Sequence, residues 1–130
     1  MDMIPYNDVV SIIQAKINTL KIKKEIFGFS IDKCRQSLYN KFNSVYRFSY
    51  KELEMLCELL GLANTIPSYD SAVENITSRI KLWVLDPEET IKNATGITTA
   101  TYKNRWYGHA PWRYEELYKL NEYLDQNNFF

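Results

Sequence analysis

Asn40 and Asn104 each carry an amide donor and acceptor, and each is followed by a cation, Lys41 or Arg105. Groups of the same kind cluster around them: Lys33, Arg35 and Gln36 before the first, and Thr98, Thr99, Thr101 and Lys103 before the second. Amides and hydroxyls both donate and accept hydrogen bonds, and cations neutralise anions. Together they suit recognition of a patterned, negatively charged surface. Bond-breaking chemistry has little to work with. His109 is the only histidine, and it lies in the loop Gly108-His-Ala-Pro111. Cys34 and Cys57 are too far apart for a metal-ligand pair, and no phosphate loop or nucleophile–base pair is visible. Glu88 and Glu89 follow Asp86-Pro87, which is the composition of a helix start. No enzyme activity, metal, cofactor or small-molecule substrate is expected.

The two asparagines sit in matching surroundings. LYNKFNSVYRFSYKELEMLCELL, residues 38–60, aligns without a gap on YKNRWYGHAPWRYEELYKLNEYL, residues 102–124, with seven identities in 23 positions. Two amphipathic helices share a leucine rhythm by default, which covers Leu53, Leu56 and Leu60. It does not cover an asparagine, a basic residue and the aromatic pairs Phe42/Trp106 and Phe48/Trp112 held in register upstream. Self-similarity at a spacing of 64 residues predicts a duplicated unit.

Composition narrows the class. An apolar share of 45% with a charged share of 25% is that of a folded globular chain. No apolar run is long enough to cross a membrane, and the start MDMIPYNDVV lacks the features of an export signal, so a cytoplasmic location is expected. The formal net charge of zero argues against a diffuse basic field, but the charge is segregated. From Lys16 to Arg47 there are eight basic and two acidic residues, and between Thr90 and Tyr114 there is no carboxylate at all. Acids gather instead in the last helix of each half and around Asp86–Glu89.

These residues need elements to hold them, and the periodicity supplies helices only. Val9, Val10, Ile12, Ile13, Ile17 and Leu20 form one stripe, with Asn7 or Asp8 as the expected cap. Lys23–Phe29 and Asp32–Asn43 read as two more helices, and Ser49-Tyr-Lys-Glu52 as a capping box opening a fourth that Gly61 ends. After GLANTIPSYDS, a second capping box is expected at Ser71–Glu74, then a stripe of Ile76, Ile80, Trp83 and Val84. Asp86-Pro87 opens the next helix, Thr95–Thr98 turns into Thr99–Tyr107, and a last helix runs to about Asp125. The fold class is all-α: two similar helical units, residues 1–62 and 72–126, joined by a linker at 63–71 and ending in a tail at 127–130. Most of the aromatics are expected to fill the two small cores; stacking on single-stranded bases is the lesser reading.

A short helix, a glycine turn and a helix opening on threonine is the layout of a helix-turn-helix. TGITTATYKNRWYG resembles the turn and recognition helix of Cro/CI-type, lambda-repressor-like DNA-binding domains, and RQSLYNKFNS followed by FSYKELEMLCELLGL resembles that family's third helix and the helix after it. The resemblance implies a bundle of four or five helices per unit and a small transcriptional regulator of bacterial or phage type that binds double-stranded DNA. Read from the residues, Lys16, Lys41, Arg47, Lys103, Arg105 and Arg113 would meet phosphates, Gln36, Asn40, Thr99, Thr101 and Asn104 would face base edges, and Lys33, Arg35 and Thr98 complete the expected DNA-binding set. The rival is a helix-turn-helix scaffold turned to protein contact, as a phage accessory or structural component. It draws on the wide apolar surface of helix 53–62, which also suits a homodimer.

Overall fold

The computed structural model describes residues 1–20 and 47–130. The helices expected over Lys23–Phe29 and Asp32–Asn43 lie outside them, as do Lys33, Cys34, Arg35, Gln36, Asn40 and Lys41. Among the described residues there are six α-helices and no strand, so the chain is all-α. Two compact units are formed, Ile4–Ile66 and Pro67–Phe130, the latter joined by Met1–Met3. The division falls at the Ile66-Pro67 peptide, inside the expected linker.

In the first unit, α1 spans Tyr6–Leu20 and α2 spans Tyr50–Leu59. Neither Asn7 nor Asp8 caps α1. The helix starts earlier because the Pro5 carbonyl already accepts from the Asp8 and Val9 N–H groups, at 3.1 and 3.2 Å. Starting there places Tyr6 on the inner face with Val9, Ile13 and Ile17, all buried. The Tyr6 hydroxyl accepts a buried hydrogen bond from the Phe48 N–H at 2.9 Å. The capping box of α2 forms as the sequence predicts: Ser49 Oγ accepts from Glu52 N–H at 3.1 Å, and Glu52 Oε1 accepts from Ser49 N–H at 2.9 Å. Four residues three or four apart, Leu53, Leu56, Cys57 and Leu60, bury the inner face of α2. Met55 and Leu59 stay exposed at 41% and 51%. Gly61, at φ 73°, turns the chain so that the Leu62 N–H reaches the Cys57 carbonyl at 2.7 Å. Burial pushes the Cys57 thiol up to about 11, so it behaves as an apolar side chain.

The second unit contains α3 (Tyr69–Trp83), α4 (Pro87–Thr95), α5 (Thr99–Trp106) and α6 (Tyr114–Gln126). α6 packs on both α3 and α4, and α5 packs on α4. The box expected at Ser71–Glu74 does not start α3. Ser68 is the cap, its Oγ accepting from the Ser71 N–H at 3.2 Å, and this moves the helix start back to include Tyr69. The Tyr69 hydroxyl accepts from the Trp112 N–H at 2.9 Å, just as Tyr6 serves Phe48. α1 and α3 are each 15 residues long, and a shift of 63 aligns Tyr6, Val10, Ile13 and Ile17 with Tyr69, Val73, Ile76 and Ile80.

The guanidinium of Arg79 ties the second unit together. It donates to Phe129 O (2.7 Å), Asn75 Oδ1 (3.1 Å), Asn121 Oδ1 (2.9 Å) and Asp125 Oδ1 (2.6 Å). Asn121 in turn donates to Met1 O at 3.0 Å. Residues 127–130 are consequently no loose tail. Asn128 takes the left-handed conformation at φ 59°, the Phe129 N–H closes on the Leu124 carbonyl at 2.8 Å, and the Phe129 ring stacks on Trp83 at 5.9 Å. That stacking also accounts for Trp83, which was expected in the inner stripe of α3 yet is 48% exposed.

A tyrosine hydroxyl satisfying a backbone N–H ahead of the last helix gives each unit a measurable bond. Tyr6→Phe and Tyr69→Phe should each leave that N–H unsatisfied and cost about 1 kcal/mol or somewhat more. Urea unfolding should show a lower midpoint at unchanged slope. A midpoint unmoved in both variants would contradict the role given to the hydroxyls.

Candidate nucleic-acid interface

Five of the residues expected to recognise a polyanion, Thr99, Thr101, Lys103, Asn104 and Arg105, lie on one short helix, α5. α4 begins where Asp86 Oδ1 accepts from Glu89 N–H at 3.2 Å, with Pro87 in the first turn as its composition predicts. It ends at Gly96, whose φ of 76° lets its N–H bond the Lys92 carbonyl at 2.8 Å while the chain reverses. Two residues later Thr98 caps α5, its Oγ1 accepting from the Thr101 N–H at 3.2 Å and donating to Thr101 Oγ1 at 3.1 Å. A cross-brace spans the turn, Lys92 Nζ donating to Thr99 Oγ1 at 2.8 Å. Ile91 from α4 and Tyr102 from α5 are the buried anchors of the pair.

With Tyr102 facing inward, Thr99, Ala100, Lys103 and Asn104 are left on the exposed face of α5. Thr101 and Arg105 are half-buried to the sides. The Tyr102 ring stacks on Trp106 at 5.9 Å. Burial, with added repulsion from Tyr107, Glu88 and Asp86, pushes the Tyr102 hydroxyl up, keeping it a neutral donor. At the C-terminal end of α5, Gly108 at φ 80° lets the His109 and Ala110 N–H groups reach the Asn104 carbonyl at 2.9 and 3.0 Å. Asn104 therefore has a fixed backbone beneath an exposed amide.

Arg105 has a different part from the one its charge suggests. Its Nε donates to Glu116 Oε1 at 3.0 Å, with the two side chains only 14% and 10% exposed. The same oxygen accepts from the Arg113 N–H at 2.8 Å, capping α6. Arg113 itself occupies the cap position, but a guanidinium only donates, so Glu116 forms its half of the box alone. The Glu116 carboxylate is thus paired with a cation and turned inward, and Arg105 acts by holding α5 against the start of α6.

The remaining expected contacts are spread out. Arg113 is exposed at the head of α6, beside α5 in the same unit. Lys16 and Arg47 belong to the first unit: Lys16 is half-buried on α1, and the Arg47 guanidinium lies 4.4 Å from the centre of the Tyr6 ring with Nη1 donating to Asn7 Oδ1 at 3.4 Å. Most of the described aromatics named above, Phe48, Tyr50, Tyr102, Trp112 and Tyr114, are buried as core. Trp106 is half-buried, and Trp83 and Tyr107 are exposed at 48% and 66%. Sequence reading missed two residues, Lys92 and Glu116. A polar pair seven apart across a glycine turn gives no periodic signal, whereas Glu116 was visible as the counterpart of the capping Glu52. Among the described residues no cluster of three metal-ligating side chains exists, and no helix is long and apolar enough to cross a membrane.

If Glu116 joins α5 to α6 through Arg105, the two side chains must be energetically coupled. A double-mutant cycle on Arg105→Ala and Glu116→Gln should give a coupling of about 1–3 kcal/mol in urea unfolding. Additive effects within experimental error would show that the pair holds nothing. Family models, curated proteins and solved structures were all compared with this chain, and none of them matches it.

Proposed function

We propose that the protein binds double-stranded DNA through α5 of the second unit and serves as a small regulator of transcription. The observation that carries the reading is the exposed face of α5. It presents an amide, a hydroxyl, a methyl group and one lysine in an acid-free stretch, on a helix braced from both sides by Lys92–Thr99 and Arg105–Glu116. An eight-residue helix of this kind fits a major groove, with Asn104 and Thr99 bonding base edges, Ala100 against a thymine methyl, and Lys103 and Arg113 on phosphates. Arg105 becomes a positioning residue.

A tandem arrangement fits the same reading. The tyrosine-to-backbone bond, the fully buried Tyr50 and Tyr114, and the glutamate caps Glu52 and Glu116 recur in the two units. The first unit's contribution would come from Lys33, Arg35, Gln36, Asn40 and Lys41, which lie outside the described residues, together with Lys16 and Arg47. The protein-contact rival has one observation in its favour, the exposed apolar side chains of Met55 and Leu59 on α2.

Fluorescence anisotropy with mixed-sequence duplex at several salt concentrations separates the two. Counterion release predicts an affinity falling by about 0.9 log unit per log unit of salt for each phosphate met. Lys103→Ala should reduce that slope by about one contact on every duplex, while Asn104→Ala should cost about 1–3 kcal/mol on a selected site and leave mixed-sequence binding unchanged. Absence of binding at low salt would reject the DNA reading in favour of a protein partner.

A further inference from the structure

Two lysines from neighbouring helices reach α5, and neither belongs to the expected DNA-binding set. Lys92 of α4 donates from Nζ to Thr99 Oγ1 at 2.8 Å, at the first residue of α5. Lys81 of α3 sets its Nζ 5.8 Å from the centre of the Trp106 ring, at the last residue. Helical steps of about 100° show which edge they meet. Counted from the inward Tyr102, Trp106 stands about 40° round, Thr99 about 60°, Lys103 about 100° and the exposed Asn104 about 200°. Lys92, Lys103 and Lys81 therefore follow one another along a single edge of α5, over the roughly 10 Å from Thr99 to Trp106.

The opposite edge differs in charge. Arg105 stands about 300° round, mostly buried and neutralised by Glu116. The three ammonium groups keep their charge, because Lys92 meets a hydroxyl and Lys81 a ring face, partners that orient a cation without neutralising it. The ion pairs of Arg79 with Asp125 and of Arg105 with Glu116 engage none of them. Lys81 and Lys103 are exposed and Lys92 is half-buried. Asp86 and Glu88 lie toward the Tyr102 hydroxyl, on the side of α5 turned away from Asn104. Side chains already held in place lose less freedom when a ligand arrives. Each strand of a duplex carries a phosphate about every 3.4 Å of its axis, so a row of roughly 10 Å matches about three of them.

We propose that Lys92, Lys103 and Lys81 hold successive phosphates of one strand of the duplex that α5 enters. The inference rests on the DNA reading and extends the contact surface to α3 and α4. Its test is the salt dependence of binding to mixed-sequence duplex by the full chain, followed by fluorescence anisotropy. Lys81→Gln and Lys92→Gln should each lower the slope by about one contact, near 0.9 log unit per log unit of salt, and the double variant by about two. Glutamine at 92 keeps a donor for Thr99, so the loss reads charge and not the brace. Lys81→Arg and Lys92→Arg should retain the parent slope. Lys119→Gln, beside Ala94 and so on the other face of α4 from Lys92, should leave it unchanged. A double variant with the parent slope, arginine variants that lose as much as the glutamine ones, or an equal loss in Lys119→Gln would overturn the inference while the DNA reading stands. A parent chain that binds no duplex at low salt would overturn both.

Discussion

One oxygen of the Glu116 carboxylate accepts two hydrogen bonds, from the Arg113 N–H at 2.8 Å and from Arg105 Nε at 3.0 Å, and the geometry of the candidate interface rests on it. The first bond satisfies a backbone donor that the opening turn of α6 cannot serve. The second joins the last turn of α5 to that opening turn. Because both side chains are mostly buried, the charges cannot be left to solvent, and removing either one strands the other. The same arrangement keeps a carboxylate off the surface that α5 exposes. In the first unit Glu52 caps α2 with Ser49 as a reciprocal partner, so a serine side chain does there what Arg113 cannot do here. Exchanging serine for arginine at the cap gives up one hydrogen bond and places a cation beside α5.

Small units need such polar pins because their apolar cores are limited. The second unit consists of residues 67–130 with three more from the start of the chain, near the size at which hydrophobic burial alone is marginal. Its answer is to distribute ordered polar contacts around the core. Arg79 makes four hydrogen bonds that bind α3, α6 and the final residues, and Tyr69 fixes the approach to α6. The first unit uses Tyr6 in the same way, with the Arg47 guanidinium over its ring. At the position aligned with Asn121, the first unit has Cys57, an apolar group whose raised thiol pKa reflects the dry core around it.

Helix identity was legible where a periodic stripe and a cap agreed, as over Leu53–Leu60 after Ser49, and where the start chemistry was strong, as at Asp86-Pro87. Starts were misread where the deciding bond is long-range. Ser71–Glu74 has the composition of a capping box, but Ser68 wins because the earlier start lets Tyr69 reach Trp112, 43 residues away. The final residues read as a tail, and Arg79, 50 residues before Phe129, with Trp83 shows why they are held. The same limit applies to the site. That Thr99, Lys103 and Asn104 share an exposed face follows from helical spacing, whereas the inward turn of Arg105 depends on a glutamate 11 residues on. A cation's charge is readable in sequence, but its engagement is a property of the fold.

The central claim is that α5, held by Glu116, is the surface that meets DNA. Amide chemical shifts of the isotopically labelled chain, followed while unlabelled duplex is added, test it residue by residue. The account predicts that the largest perturbations among the described residues fall on Thr99, Ala100, Lys103 and Asn104, with Arg113 following and Ile76 and Ile80 of α3 unmoved. Perturbations centred on Met55 and Leu59, or none anywhere in α5, would contradict it.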